Sequence, residues 1–274
     1  MADVALGHPV RAYLAVAGAA LRAQAERPAY LAVRMLLGGA IQLLELTGFV
    51  ILIDQFGELA GWSAPEIGVL WGLGAAGQGL AQAVASRLEA GDFAGVVRRG
   101  ELDRVLLRPV GALPWLLASS LDLRYLGRTL TGLAITAWAA DRAGVVWTTG
   151  RVAVAVLAVL CCAVVFVAVL VIAAAVTLRT VEGSELFNVL TYGGVFLAGF
   201  PMEVHGPPLR FLFTWVLPFG LAVYVPALVI LGRPGAAGLT PALLAVTPLA
   251  AAALAVAAVA AWRAGLRGYL GTGS

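Results

Sequence analysis

Few side chains in this chain can do chemistry. His8 and His205 are the only histidines, Cys161 and Cys162 the only cysteines, and all 18 basic residues are arginine. A phosphate-cradling loop of the Walker type needs a lysine to reach the terminal phosphates, and a Schiff-base enzyme needs one as nucleophile. Neither chemistry can reside here. A metal site is not expected, because neither histidine has a cysteine or a second histidine near it in sequence. An intramembrane serine protease needs a serine and a histidine at one depth, and Ser119, Ser120 and Ser184 have no such histidine on offer. Adjacent helical residues point about 100° apart, so Cys161 and Cys162 read as small buried hydrophobes, not a disulfide. No catalytic residue is expected, and recognition is what remains. Its densest candidate is the charged island Gly100–Val110: seven of the 18 arginines lie between Arg87 and Arg128, four of them in Arg98–Arg108.

The elements around that island are oily. The 274 residues are 61% hydrophobic and 12% charged, with a mean hydropathy of +0.95. No soluble domain has this balance. The fold class is all-α, a polytopic membrane protein. The arginines form no continuous basic surface with stacking aromatics, so nucleic acid is excluded as a partner. Met1–Arg27 lacks a compact apolar core followed by a small-residue cleavage site, so no cleavable leader is expected.

A helix needs roughly 20 apolar residues to cross the hydrocarbon core. The sequence predicts six spans: Ala29–Ile53, Ile67–Ala85, Leu123–Ala140, Val152–Leu178, a fifth from Leu186 broken by Pro201, and Leu243–Trp262. Phe211–Leu231 is apolar but holds Pro218 and Pro226, which remove backbone donors and kink a helix. It reads as a re-entrant element on the outer side, within 201–232, tolerated at depth only where protein or a cavity surrounds it. Arginine placement sets the orientation. Arg11, Arg22 and Arg27 precede the first span, the island follows the second, and Arg263 and Arg267 end the last. Asp54, Glu58 and Glu66 form an acidic loop without a base. Six spans put the N-terminus, island and tail on the cytoplasmic side; a seventh would put the basic tail outside. The organisation is a cytoplasmic N-terminal region 1–28, a membrane domain 29–263 with cytoplasmic segment 87–122, and a tail 264–274. Val10, Leu14, Ala17 and Leu21 line one face before Pro28, as in an interfacial amphipathic helix.

Polar residues inside the spans are the candidate pathway. Arg34, Gly38, Gln42 and Glu45 share one stripe of the first helix and must face another helix or a polar path. Arg34 is close enough to the surface to snorkel. Glu45 is deeper, and its role is either a structural ion partner or a pathway group. On the second helix, Gln78 and Gln82 lie one turn apart among Gly68, Gly72, Gly74, Gly77 and Gly79. Those glycines predict close helix packing.

The island itself predicts a short helix, with Leu102, Val105 and Leu106 on one side and charges on the other, suited to a groove on a partner. Arg98–Val110 resembles the cytoplasmic coupling segment of permease subunits of type-2 ATP-binding-cassette (ABC) transporters, in particular small bacterial six-span permeases often found as two half-size partners beside an ATPase. Phe200–Phe211 with Leu217–Ala227 is similar to that subgroup's outer re-entrant region, and Trp262–Tyr269 to its ending. Val204–Gly206 departs from the family, which more often has an aliphatic and an aromatic residue before proline. The resemblance implies that Gly100, Glu101, Leu102, Asp103, Leu106, Leu107, Arg108 and Pro109 form or support the coupling helix. It implies that Pro218, Tyr224 and Pro226 shape an outer gate, and that Val10–Leu21 is the connecting helix.

Two further expectations follow from it. The chain is an exporter permease of the bacterial cytoplasmic membrane with no cofactor of its own, ATP and magnesium being held by a separate ABC ATPase dimer. It pairs with a second permease subunit, a paralogue in preference to an identical copy. A secondary transporter coupled to ions is the competing class; it predicts an inverted repeat between the two halves, and none is visible.

Overall fold

Backbone groups in hydrocarbon have no water to bond, so a chain this apolar must pair them within each segment. Helices result. The computed structural model describes residues 3–107, 111–180, 184–235 and 238–269, and among these no strand forms beyond a single bridge between Leu59 and Trp62. Helix α1 (Asp3–Ala25) ends just before Pro28, which opens α2 (Pro28–Phe56). The next long helix is α3 (Ala64–Ala85). Three short helices follow: α4 (Ala90–Arg98), α5 (Glu101–Leu106) and α6 (Ala112–Ser119). A 3₁₀ turn (Leu123–Tyr125) leads into α7 (Leu126–Arg142). Then come α8 (Thr149–Thr177) and α9 (Ser184–Ala198). Helix α10 (Pro207–Phe211) runs into a π-helical turn, a second π turn (Gly220–Tyr224) runs into α11 (Val225–Leu231), and α12 (Val246–Arg267) closes the chain.

A helix therefore occupies each expected stretch, but not every one is a full span. Among the described residues, four runs are long and apolar enough to cross a membrane: Pro28–Gly48, Ala64–Arg98, Thr149–Thr177 and Pro241–Arg267, and the bent pair would make a fifth. Helix α7 has 17 residues and carries Arg128, Asp141 and Arg142, and α9 has 15. The expected third and fifth spans fall short by that measure.

Helix α3 is the centre of the packing. It begins cleanly: Pro65 sits in the first turn, and Glu66 Oε2 accepts from both the Ser63 backbone N–H and its hydroxyl, each at 2.9 Å. Its glycines set how near the neighbours come. A Cβ on Gly79 would lie 2.7 Å from the Thr129 backbone nitrogen of α7, and one on Gly72 would lie 2.7 Å from the Gly132 carbonyl. Gly77 does the same against Cys162 of α8. Apolar side chains gain little from one another when lipid is the alternative, so close backbone approach is what binds such helices. Cys161 and Cys162 are free and buried here.

One detail corrects the expectations. The break in the outer element falls at Pro218 alone, where the pair Pro207–Val216 and Gly220–Leu231 bends by 77°. Pro226 sits inside a continuous helical run, because the π turn just before it displaces the carbonyl that its ring would strike. On α1, Ala17 is buried and Leu14 is 62% exposed.

Candidate functional site

A cavity of about 710 Å³ opens between α2, α3 and α9. Gln42, Glu45 and Gly48 line it from α2, Trp71, Ala75 and Gln78 from α3, and Arg128 from the first turn of α7. Helix α9 supplies Tyr192, Val195 and Phe196. The volume is that of a site for a drug-sized molecule, and the wall mixes aromatic faces with a few polar groups, as such sites do. Three of the four candidate pathway residues thus share one wall. Gln42 is 2% exposed, whereas Glu45 stands open to the cavity's side. Trp71 packs edge-on against Phe196 at 5.6 Å between ring centres.

Gln82, the fourth, does not line the cavity but bonds two residues that do. Its amide nitrogen donates to Glu89 Oε1 at 3.0 Å and to the Tyr192 hydroxyl at 3.3 Å, and Arg128 Nη1 donates to its oxygen at 3.1 Å. Glu89 stands immediately before α4, so this network joins α3, α7 and α9 to α4.

The island is built differently from the expected amphipathic helix. Gly100, at φ 62°, turns the chain between α4 and α5, a left-handed conformation that favours glycine. Leu102 and Val105 are both buried in the molecule's own core. Leu106 is not on their side: it is 43% exposed and Leu107 is 87% exposed. The helix lasts only six residues, and Leu106 and Leu107 fall where it ends and turn outward. Glu101 is also committed inward. It pairs with Arg87 at 3.0 Å and Arg99 at 2.8 Å, and the hydrogen bond from Arg99 holds its carboxyl below the usual carboxylate range. Asp103, half-buried, follows on the same turn. Arg108 and Pro109 lie outside the described residues. Helix α4 anchors the unit, with Phe93 packed against Trp262 of α12 at 5.8 Å between rings.

At the other end, Tyr224 is fully buried and donates to Glu203 Oε1 at 2.7 Å. Trp62 donates to the same oxygen at 3.3 Å, and the two rings lie 5.5 Å apart. Arg233 sits 4.3 Å above the Trp62 ring, pairs with Glu66 at 2.7 Å and donates to the Gly61 carbonyl. Both ends of the bent pair therefore return to the start of α3. Pro218 and Pro226 are buried beneath this cluster's helices.

Sequence reasoning missed Trp71, Arg128 and Tyr192 of the cavity, Glu89 bonded to Gln82, and Trp62, Glu203 and Arg233 at the other end. Arg128 and Glu203 each lie in a stretch the sequence singled out. Tyr192 and Trp71 gave no signal, since aromatic residues in apolar helices are ordinary.

A family model described as "ABC-2 family transporter protein" matches residues 40–273. No curated protein and no solved structure matches the chain.

Proposed function

The chain belongs to the ABC-2 transporter family of multi-pass membrane permeases, and from that premise we propose that it is one half of an ATP-driven exporter in the bacterial cytoplasmic membrane, docked onto a separate ATPase. The chain supplies no catalytic residue and no cofactor; ATP and magnesium sit on the ATPase pair. The observation that carries this reading is the continuous connection from α5 to the cavity. Leu106 and Leu107 stand outside, Leu102 and Val105 root the same helix in the core, and Glu89 links α4 to Gln82 and Tyr192. A push on α5 is felt at the cavity base. ATP shifts the equilibrium only because the two states of the permease dock the ATPase differently.

The substrate occupies the cavity of Gln42, Glu45 and Gln78, which a second permease subunit, preferably a paralogue, encloses from the open side. Six crossings are favoured, with α10 and α11 re-entering from the outside. The return of both ends of the pair to Trp62 and Glu66 supports this. Tyr224, held by Glu203, closes the outer side with Pro218 and Pro226.

Co-expression with the neighbouring ATPase and pull-down on the permease tests the docking. Wild type is expected to bring the ATPase down; Leu107→Asp, and Glu101→Arg with Asp103→Arg, are expected to lose it. Glu89→Gln is expected to keep the ATPase but blunt its stimulation. Transport by the chain alone under an ion gradient would instead establish the secondary-transporter class.

A further inference from the structure

A second recess, of about 310 Å³, lies between the first third of α2 and the start of α7. Arg34, Arg124 and Arg128 line it, with Leu37, Gly38, Ile41 and Tyr125. Its floor is a near-contact of two helices: a Cβ on Gly127 would run into the Met35 backbone, and one on Gly39 into the Thr131 side chain. The depth is fixed by α1. Gln24 of that helix donates to the Leu121 carbonyl at 2.7 Å and accepts from the Leu123 N–H at 2.7 Å, which holds the turn bearing Arg124 beside the interfacial helix. In the orientation proposed above, phosphate groups of the inner leaflet lie at this level.

The charge is unbalanced. Asp122 pairs with Arg124 at 2.8 Å and lies within electrostatic reach of Arg34. Glu89 is within reach of Arg128. With both carboxylates ionised, three guanidiniums still face two negative charges. Arg34 stacks on Tyr30 at 5.5 Å and makes no hydrogen bond among the described residues, so its planar N–H edge is open to an anion. Arg124 stacks on Tyr125 at 4.5 Å and donates Nη2 to the Tyr125 hydroxyl at 2.7 Å, and Arg128 donates Nη1 to Gln82, which leaves each of them its other Nη group. Beside these cations Leu37 is 58% exposed and Ile41 53% exposed. They run up α2 from the arginines toward the bilayer centre.

We propose that this recess binds one anionic phospholipid of the inner leaflet, its phosphate held by Arg34, Arg124 and Arg128 and an acyl chain lying along Leu37 and Ile41. Free phosphate would engage the arginines alone, whereas a lipid also continues past them onto Leu37 and Ile41. The site is separate from the cavity proposed for transport, although Arg128 borders both, and it stands whether or not the ATPase docks as proposed.

The test is native mass spectrometry of the full chain in a neutral detergent, titrated with phosphatidylglycerol, phosphatidylcholine or inorganic phosphate, with thermal melts alongside. One phosphatidylglycerol per chain is expected to bind, more tightly than phosphatidylcholine, and to raise the melting temperature. Each arginine near a membrane surface is worth about fivefold in affinity. Arg34→Gln is thus expected to weaken binding about fivefold, and with Arg128→Gln about thirtyfold. Arg34→Lys is expected to recover most of the loss, and Arg142→Gln, at the far end of α7, to bind as wild type. If the double variant does not fold, Arg34→Gln decides alone, since among the described residues Arg34 makes no hydrogen bond or close ion pair and has only the Tyr30 stack and a longer-range attraction to Asp122. Equal binding of phosphatidylcholine, wild-type binding by Arg34→Gln, or an equal loss in Arg142→Gln overturns the site. Displacement of the lipid by millimolar phosphate reduces it to a bare anion site and overturns the lipid assignment.

Discussion

Glu45 and Glu203 are carboxylates in a mostly apolar chain, and their surroundings assign them different work. Glu203 accepts from Tyr224 and Trp62. Hydrogen bonds to a charged acceptor contribute about 1.5–3 kcal/mol. Tyr224→Phe is therefore expected to lower stability by about 2 kcal/mol, read as a fall in the melting temperature of the detergent-solubilised protein. An unchanged melt would mean that the outer cluster is not holding the bent pair. Glu45 makes no recorded hydrogen bond or ion pair among the described residues and lines the cavity. Glu45→Gln should then alter transport into vesicles without moving the melt. Normal transport with a lowered melt would remove it from the pathway and make it a structural partner.

Elements meet here through backbone rather than through large side chains. Gly72 and Gly79 of α3 approach the α7 backbone so closely that an added methyl must push the helices apart. Overpacking of this kind costs about 1–3 kcal/mol. Gly72→Ala and Gly79→Ala should each destabilise by that amount in a chemical or thermal melt. Gly38→Ala on α2, where a Cβ meets nothing within 4 Å, should be neutral or slightly stabilising. Equal effects at all three positions would point to helix propensity rather than packing. The glycine pattern was legible in the sequence, because small residues at close spacing in an apolar helix have one common use. Which neighbour each glycine faces was not: Gly72 and Gly79 meet α7 while Gly77 meets α8, a division set by how three helices surround α3.

For the whole molecule, contacts sort the loops into two groups. Gly61, Trp62, Glu203 and Arg233 cluster at one end. At the other, Arg179 donates to the Ala264 carbonyl at 2.7 Å, which ties the segment after α8 to the last helix. Arginine bias assigns the first group to the outside. Single cysteines report this directly, since Cys161 and Cys162 are buried. Val146→Cys, at a position 72% exposed, is expected to react with an impermeant maleimide on intact cells. Leu107→Cys, at a position 87% exposed, is expected to react only after permeabilisation. The reverse pattern would invert the orientation and remove the ATPase from reach of α5.

The sequence by itself determined that the chain is helical and membrane-embedded, where its long apolar helices lie, and which family it resembles. The first two follow from composition and local periodicity, since a bilayer leaves an apolar segment little choice but a helix; the resemblance rests on the residues of Arg98–Val110, Phe200–Ala227 and Trp262–Tyr269 themselves. The stripe of Gln42 and Glu45 and the pair Gln78 and Gln82 were visible as residues that could not face lipid cheaply. Only the tertiary structure decided what they face. Sequence spacing places residues on one helix but not on neighbouring ones, so the addition of Trp71, Arg128 and Tyr192 to the same cavity depended on how α3, α7 and α9 pack. Spacing also misled at Leu106. Its periodicity matched Leu102 and Val105, but a helix of six residues ends there, and the last turn of a short helix is placed by the chain that follows it.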